Sequence, residues 1–278
     1  LEADLQQKEY QRITLEMILS LNAGACLSVY YVMKKSGKGE KLVPLDLDLG
    51  QMSIGKWNAF NRDVSKALKA ESKDPFVAEI YELYHGSKKG KWTAAVDELI
   101  KRRNKDAHGE VVSATRLPDE LRERQEMIIL LMDLLSFYEG YRLVVPYDDE
   151  VKKGRVVYLC KDLSGIDENI LTLEDVTEEL EAHRSYLLNV KSRGILPLSP
   201  MIVSHPLTDE SRDLKVFVYS KTLNKKTGNL HYSGWESSKD FESDSKTATG
   251  DFFSPEQICH EFEAFRVYVE DSALVHQK

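Results

Sequence analysis

Cysteine is scarce in this chain. Cys26, Cys160 and Cys259 lie far apart and form no CxxC pair. That argues against a disulfide framework and against a thiolate zinc site, and it predicts a reducing, cytoplasmic setting. Long apolar runs are missing as well. No stretch reaches the roughly 18 apolar residues of a membrane span, and no charged-then-apolar leader opens the chain, so no membrane partner is expected. A positive balance is also absent: the net charge is −8, which disfavours binding nucleic acid through the whole surface. Any such contact must come from a local patch. No phosphate loop of the GxxxxGK[ST] type occurs, and "SGKGEK" at 36–41 lacks its spacing.

The 278 residues fit one large domain or two modest ones. The chain opens on Leu1 rather than methionine, which leaves room for fused domains before it. The first half reads helical. Apolar residues recur at helical spacing from Leu5 to about Lys34, with Gly24 as a candidate break. A second helix is predicted from Trp57 to Ala70, a third after Pro75, a fourth over Lys91–Arg103 and a fifth from Pro118 to near Tyr138. The middle of the fifth, "MIILLMDLLSFY", is apolar nearly all round, as in a helix buried on several sides or shared between subunits.

After Gly140 the texture changes to short β-branched and aromatic runs such as "YRLVVPYD", "GRVVYLC" and "LKVFVYSKT". "NKKTGN" signals a hairpin turn. "TLEDVTEELEAHRSYLL" suits a helix or a connector, "SSKDFESDSKTATGD" reads as a mobile loop, and a helix is predicted from Pro255 to about Val269. The expected fold class is therefore α+β. A helical bundle fills residues 1–140, and a smaller, mostly β domain with a C-terminal helix fills 141–278.

One stretch stands out chemically. Between Lys88 and His108, seven lysines and arginines face three acids, a local balance of +4. Within it, Trp92, Ala95, Val96, Leu99 and Ile100 form one helical face, and Arg103 continues that series. A guanidinium turned toward a buried face needs a carboxylate, a facing subunit or a bound phosphate. His108 falls about 140° around a continuous helix from Arg103. The two converge only if the chain bends, and Asn104 and Gly109 are residues that allow a bend. Histidine moves protons near neutral pH, arginine stabilises charge growing on a phosphate oxygen, and Asn104 offers a donor and an acceptor to orient a neighbour. With a ribose 2′-hydroxyl as nucleophile, that set needs no metal or other cofactor.

"RNKDAHG" (residues 103–109) resembles the Arg-polar-x3-His-Gly signature of the HEPN superfamily, whose domains are bundles of about four or five helices. The resemblance covers roughly residues 1–140 and is specific at the motif. It implies a metal-independent endoribonuclease that dimerises through the bundle to form a composite cleft. Arg103 and His108 carry over as catalytic residues, and Asn104 as the one that orients them. Such domains serve in toxin, phage-defence or stress-response systems, with a sensor, ATPase or antitoxin fused or associated. Lys101, Arg102 and Lys105 are candidates to steer the RNA backbone.

Against this stand plainer readings. The basic stretch suits a solvated helix end, and Arg103 a structural ion pair. The whole chain then becomes a non-catalytic binding or oligomerisation module, or one that holds a nucleotide phosphate without cutting it. Trp57 and Trp92 offer stacking faces, but Trp92 sits on the apolar face. Asp148 and Asp149 suit a turn better than a cation site, and neighbours Cys259 and His260 point about 100° apart on a helix.

Overall fold

The computed structural model describes residues 2–39, 42, 52–72, 75–109, 112–113, 115–165, 169–176, 178–206, 214–224, 229–234, 241–242, 258 and 260–265. The fold is α+β: helices come first, then antiparallel sheets and a short C-terminal helical segment. Two compact units partition the chain. One comprises Leu1–Ala23 and Ser53–Phe137, the other Gly24–Met52 and Tyr138–Lys278. The second unit takes up the chain again at Tyr138. The assignment of Gly24–Met52 to the second unit differs from a simple division at 140.

Helix α1 (Glu2–Lys35) contributes residues to both units. Gly24 does not interrupt it. In the second unit a side chain at Gly24 would meet Ile202 at 3.1 Å, so the glycine is there for close packing rather than as a stop. Over Gln6–Lys35 the helix is long and apolar enough to cross a membrane, and 78% of its most apolar window is buried within the protein.

In the helical unit, α2 (Ile54–Glu71) starts at Ser53, whose hydroxyl accepts from the Lys56 amide at 3.3 Å and satisfies one of the free N–H groups there. Trp57, Phe60, Val64 and Leu68 are buried along one face, each contributing on the order of 1.5–3 kcal/mol. Buried Asn61 ties that face to α1 through a 2.8 Å bond to the Leu19 carbonyl. Helix α3 (Ala78–Tyr84) begins after Pro75 and buries Ile80, Leu83 and Tyr84. Helix α4 (Lys89–Ala107) buries Trp92, Ala95, Val96 and Leu99. Helix α5 (Leu117–Leu134) has Pro118 in its first turn, where a missing N–H costs nothing. Its apolar middle is not wholly enclosed, because Ile129 and Met132 are half exposed.

In the second unit, β1 (Tyr141–Lys152), β2 (Arg155–Asp162), β3 (Asn169–Leu173), β4 (Tyr186–Asn189) and β5 (Ile195–Pro197) form an antiparallel sheet in the order β3-β2-β1-β4-β5. A second sheet runs β6-β7-β8-β9, from β6 (Ile202–Pro206), β7 (Leu214–Asn224), β8 (Asn229–Gly234) and β9 (Phe241–Glu242). Asn224 pairs with Asn229, the register "NKKTGN" predicts. Phe241–Glu242 pairs with β8, so part of the expected loop is a strand; the remainder of that loop lies outside the described residues.

"TLEDVTEELEAHRSYLL" forms no helix among its described residues. Asp175 and His183 adopt positive φ, at 56° and 65°, which no helix accommodates. The stretch instead crosses the sheet as a connector. Leu180 is buried against Val144, Tyr158 and Cys160, and the Tyr158 and Tyr186 hydroxyls accept from the Leu180 and Glu181 amides. Ile258, Phe262 and Phe265 are buried along the C-terminal helical segment, while Val269 lies outside the described residues.

Candidate functional site

Helix α4 carries the motif, and how it ends decides the site. The bend expected between Arg103 and His108 is absent. The helix runs on to Ala107, and His108 is its C-cap, its amide bonded to the Asn104 carbonyl at 3.0 Å. Only at Gly109, φ 76°, does the chain leave, the left-handed exit for which glycine is suited. Asp106 explains the extension. Its carboxylate takes Lys8 Nζ of α1 at 2.5 Å and Arg124 Nη1 of α5 at 2.7 Å, and Arg124 also binds Glu120. These ties hold the last turn of α4 helical. Burial raises the Asp106 carboxyl, but the hydrogen bonds from Arg124 and Lys8 outweigh it and leave the group below the usual carboxylate range.

With the helix unbroken, Arg103 and His108 occupy different flanks. His108 is exposed and lines an open depression of about 480 Å³ with Asp97, Ile100, Lys101, Asn104 and Lys105. Asn104 sits one turn before His108 on that flank. Arg103 is half-buried and lines a separate depression, of about 390 Å³, with residues of α1 and α5. The two share no lining residue. Arg103 Nη1 donates to Asn104 Oδ1 at 3.3 Å, so Asn104 touches the arginine and shares a depression with the histidine. Within one chain, guanidinium and imidazole are not brought together.

The flanking cations also divide. Arg102 bridges Glu98 at 2.9 Å and Glu123 at 2.7 Å and is largely buried. Those carboxylates commit it as a tie between α4 and α5 rather than as a charge open to RNA. The hydrogen bond from Arg102 holds the Glu98 carboxyl below its ordinary range. Lys101 lies 3.6 Å from Glu98 and is well exposed, and Lys105 is exposed in the same depression as His108. Trp57 and Trp92 are fully buried core residues, not stacking platforms. Cys26 and Cys160 are buried thiols whose burial pushes each pKa up to about 12, which leaves them inert. Cys259 lies outside the described residues. No group of three or more metal-ligating side chains occurs among the described residues.

Sequence reasoning missed Asp106, Arg124, Lys8 and Glu120. The signal that locates Arg124 is an arginine at a position where α5 otherwise buries leucine and isoleucine.

The chain is thus an α+β protein whose sequence-predicted site residues lie along the last turns of α4, with Arg103 and His108 in separate depressions. No family model, curated protein or solved structure matches it.

Proposed function

We propose that the chain is a metal-independent endoribonuclease of HEPN type, acting as a homodimer in a cytoplasmic toxin, defence or stress-response system. The observation that carries the reading is the solvent-open imidazole of His108, with Asn104 one turn back and Lys101 and Lys105 beside it in one depression. The lysines favour a phosphodiester backbone locally in a chain that is acidic overall. Because Arg103 faces the other flank of its own helix, a composite site takes His108 from one chain and Arg103 from the other.

In that site the ribose 2′-hydroxyl gives its proton to a base and attacks the adjacent phosphorus. The new bond is P–O2′, and the bond that breaks is P–O5′. Arg103 stabilises the charge gathering on the non-bridging oxygens, and a proton returns to the 5′ oxygen. The products are a 2′,3′-cyclic phosphate and a 5′-hydroxyl. His108 serves proton transfer, and Asn104 orients Arg103 through the bond it already makes.

The test is RNA incubated with the protein in EDTA beside His108→Ala. Cleavage by the wild type, lost in the variant by about a hundredfold or more and blocked by a 2′-deoxy substitution at the cut, supports the proposal. Cleavage that needs magnesium, or that persists in His108→Ala, overturns it.

A second reading has its own support. Asp106 is an ion-pair anchor and Gly109 a left-handed helix exit, so two of the seven residues of this stretch have a structural purpose. On this reading the chain is a non-catalytic binding or oligomerisation module. RNA left intact by folded wild-type protein selects it.

A further inference from the structure

The open depression of His108 holds a carboxylate that the cleavage reading does not use. Asp97 is exposed and lines it. Asp97, Lys101, Asn104, Lys105 and His108 form one stripe on α4. From Asp97 to His108 the helix turns by a net of about 20° and rises by about 16 Å. A lysine one turn on is the usual partner of a helical carboxylate, and Lys101 occupies that position. Its Nζ lies instead 3.6 Å from Glu98. Among the described residues Asp97 has no cation within ion-pair distance, and its one hydrogen bond is a long one, 3.5 Å from Asn58 Nδ2 of α2. An unpaired carboxylate beside two lysines opposes the phosphodiester backbone that those lysines attract. It accepts hydrogen bonds and donates none, so the part of an RNA strand that suits it is a base edge carrying N–H donors.

We propose that Asp97 is a specificity residue that reads a guanine in single-stranded RNA, on a nucleotide flanking the one that is cut. Guanine alone sets two donors side by side on its pairing edge, N1–H and N2–H, and the two carboxylate oxygens accept both. Adenine and cytosine set a ring acceptor beside their amino group, and uracil sets its single N–H between two carbonyls, so each turns a lone pair toward the carboxylate. Half-buried Ile100, in the same depression, gives the base an apolar edge. The rise of about 16 Å along α4 keeps Asp97 away from the nucleotide whose phosphate His108 works on. The strand must be single, because a paired guanine spends both donors on its partner. Lys101 and Lys105 in the same stripe favour a polyanion over an arginine-bearing peptide, whose guanidinium also carries paired donors. The choice of RNA rests on the ribonuclease reading; the demand of an unpaired carboxylate for N–H donors does not.

The experiment measures binding of the full chain, in EDTA, to fluorescent 2′-fluoro heptamers, which lack the attacking hydroxyl. The probes are oligouridylate and the same strand with one central guanine, inosine, adenine or cytosine. The guanine strand is expected to bind about tenfold more tightly than oligouridylate. Adenine and cytosine strands should match oligouridylate, and inosine, which lacks the N2 amino group, should fall between. Asp97→Asn is exposed, has no ion pair to lose and should fold normally. It replaces one acceptor by a donor and should bring guanine to within about twofold of uridine. Equal binding of all five strands, a guanine advantage that survives in Asp97→Asn, or no binding up to about 1 mM overturns the proposal. So does a variant that merely binds every strand more tightly, since that is the loss of a repelling charge. The ribonuclease reading is tested apart, on ordinary RNA. Wild type that prefers guanine but cuts no RNA keeps the recognition and removes the nuclease. Wild type that cuts RNA at positions unrelated to guanine does the reverse.

Discussion

The helical unit and the sheet unit satisfy their buried polar groups by different chemistry. The helical unit uses charge. Arg124, 5% exposed, sits between Asp106 and Glu120, and Lys8 completes the set. The sheet unit relies mainly on hydroxyls, beside the ion pair of Arg184 with Glu261. Tyr158 and Tyr186 accept from backbone amides, Tyr232 donates to the Pro200 carbonyl at 2.8 Å, and Ser185 bonds Ser204 at 2.8 Å. A buried charge is costly once its partner is gone, whereas a neutral hydrogen bond adds about 1 kcal/mol. The charged set therefore fixes the rotation and length of α4, and with them the split between Arg103 and His108. The hydroxyls trim a core that apolar packing already defines.

That contrast predicts a ranking. Arg124→Ala leaves Glu120 without its partner and Asp106 with Lys8 alone, and should cost about 3–5 kcal/mol in urea unfolding; a cost below about 1 kcal/mol would erase the distinction. Gly24→Val overpacks the sheet unit against Ile202, 3.1 Å from the new Cβ, and should cost about 1–3 kcal/mol. Tyr232→Phe removes one bond and should cost about 1 kcal/mol.

The pH responses should run in opposite directions. Asp106 is held below its ordinary value, so its contribution is present above the usual carboxylate range and is lost as pH falls through the lowered value. Burial pushes the Glu261 carboxyl up to about 7, against the pull of its partner Arg184 and with the like charge of Glu181. Its contribution is complete below the usual carboxylate range and is lost as pH rises through about 7. Hydrogen exchange should show residues 260–265 better protected at pH 5 than at pH 8, and the end of α4 opening first in acid. Parallel responses would contradict both assignments.

Local signals made much of the fold legible. Pro75 and Pro118 mark helix starts, and the hydrophobic period places Trp92, Ala95, Val96 and Leu99 on the buried face of α4, with Ile100 only half-buried beside the His108 depression. What stayed hidden depends on distant partners. Gly24 reads as a breaker until Ile202 is set against it. Asn104 reads as a bend until Lys8 and Arg124, remote in sequence, are seen holding Asp106 one turn later. Arg102 reads as a free cation until Glu123 is found beside it. The candidate site was thus legible as a set of residues but not as a geometry.

The most direct test of the two-chain site is complementation. Arg103→Ala and His108→Ala, each inactive alone, should recover about a quarter of wild-type RNA cleavage when unfolded and refolded together, because half of randomly assorted dimers are mixed and each mixed dimer holds one intact pairing. A mixture as inactive as its components would contradict a site that draws its arginine and its histidine from different chains.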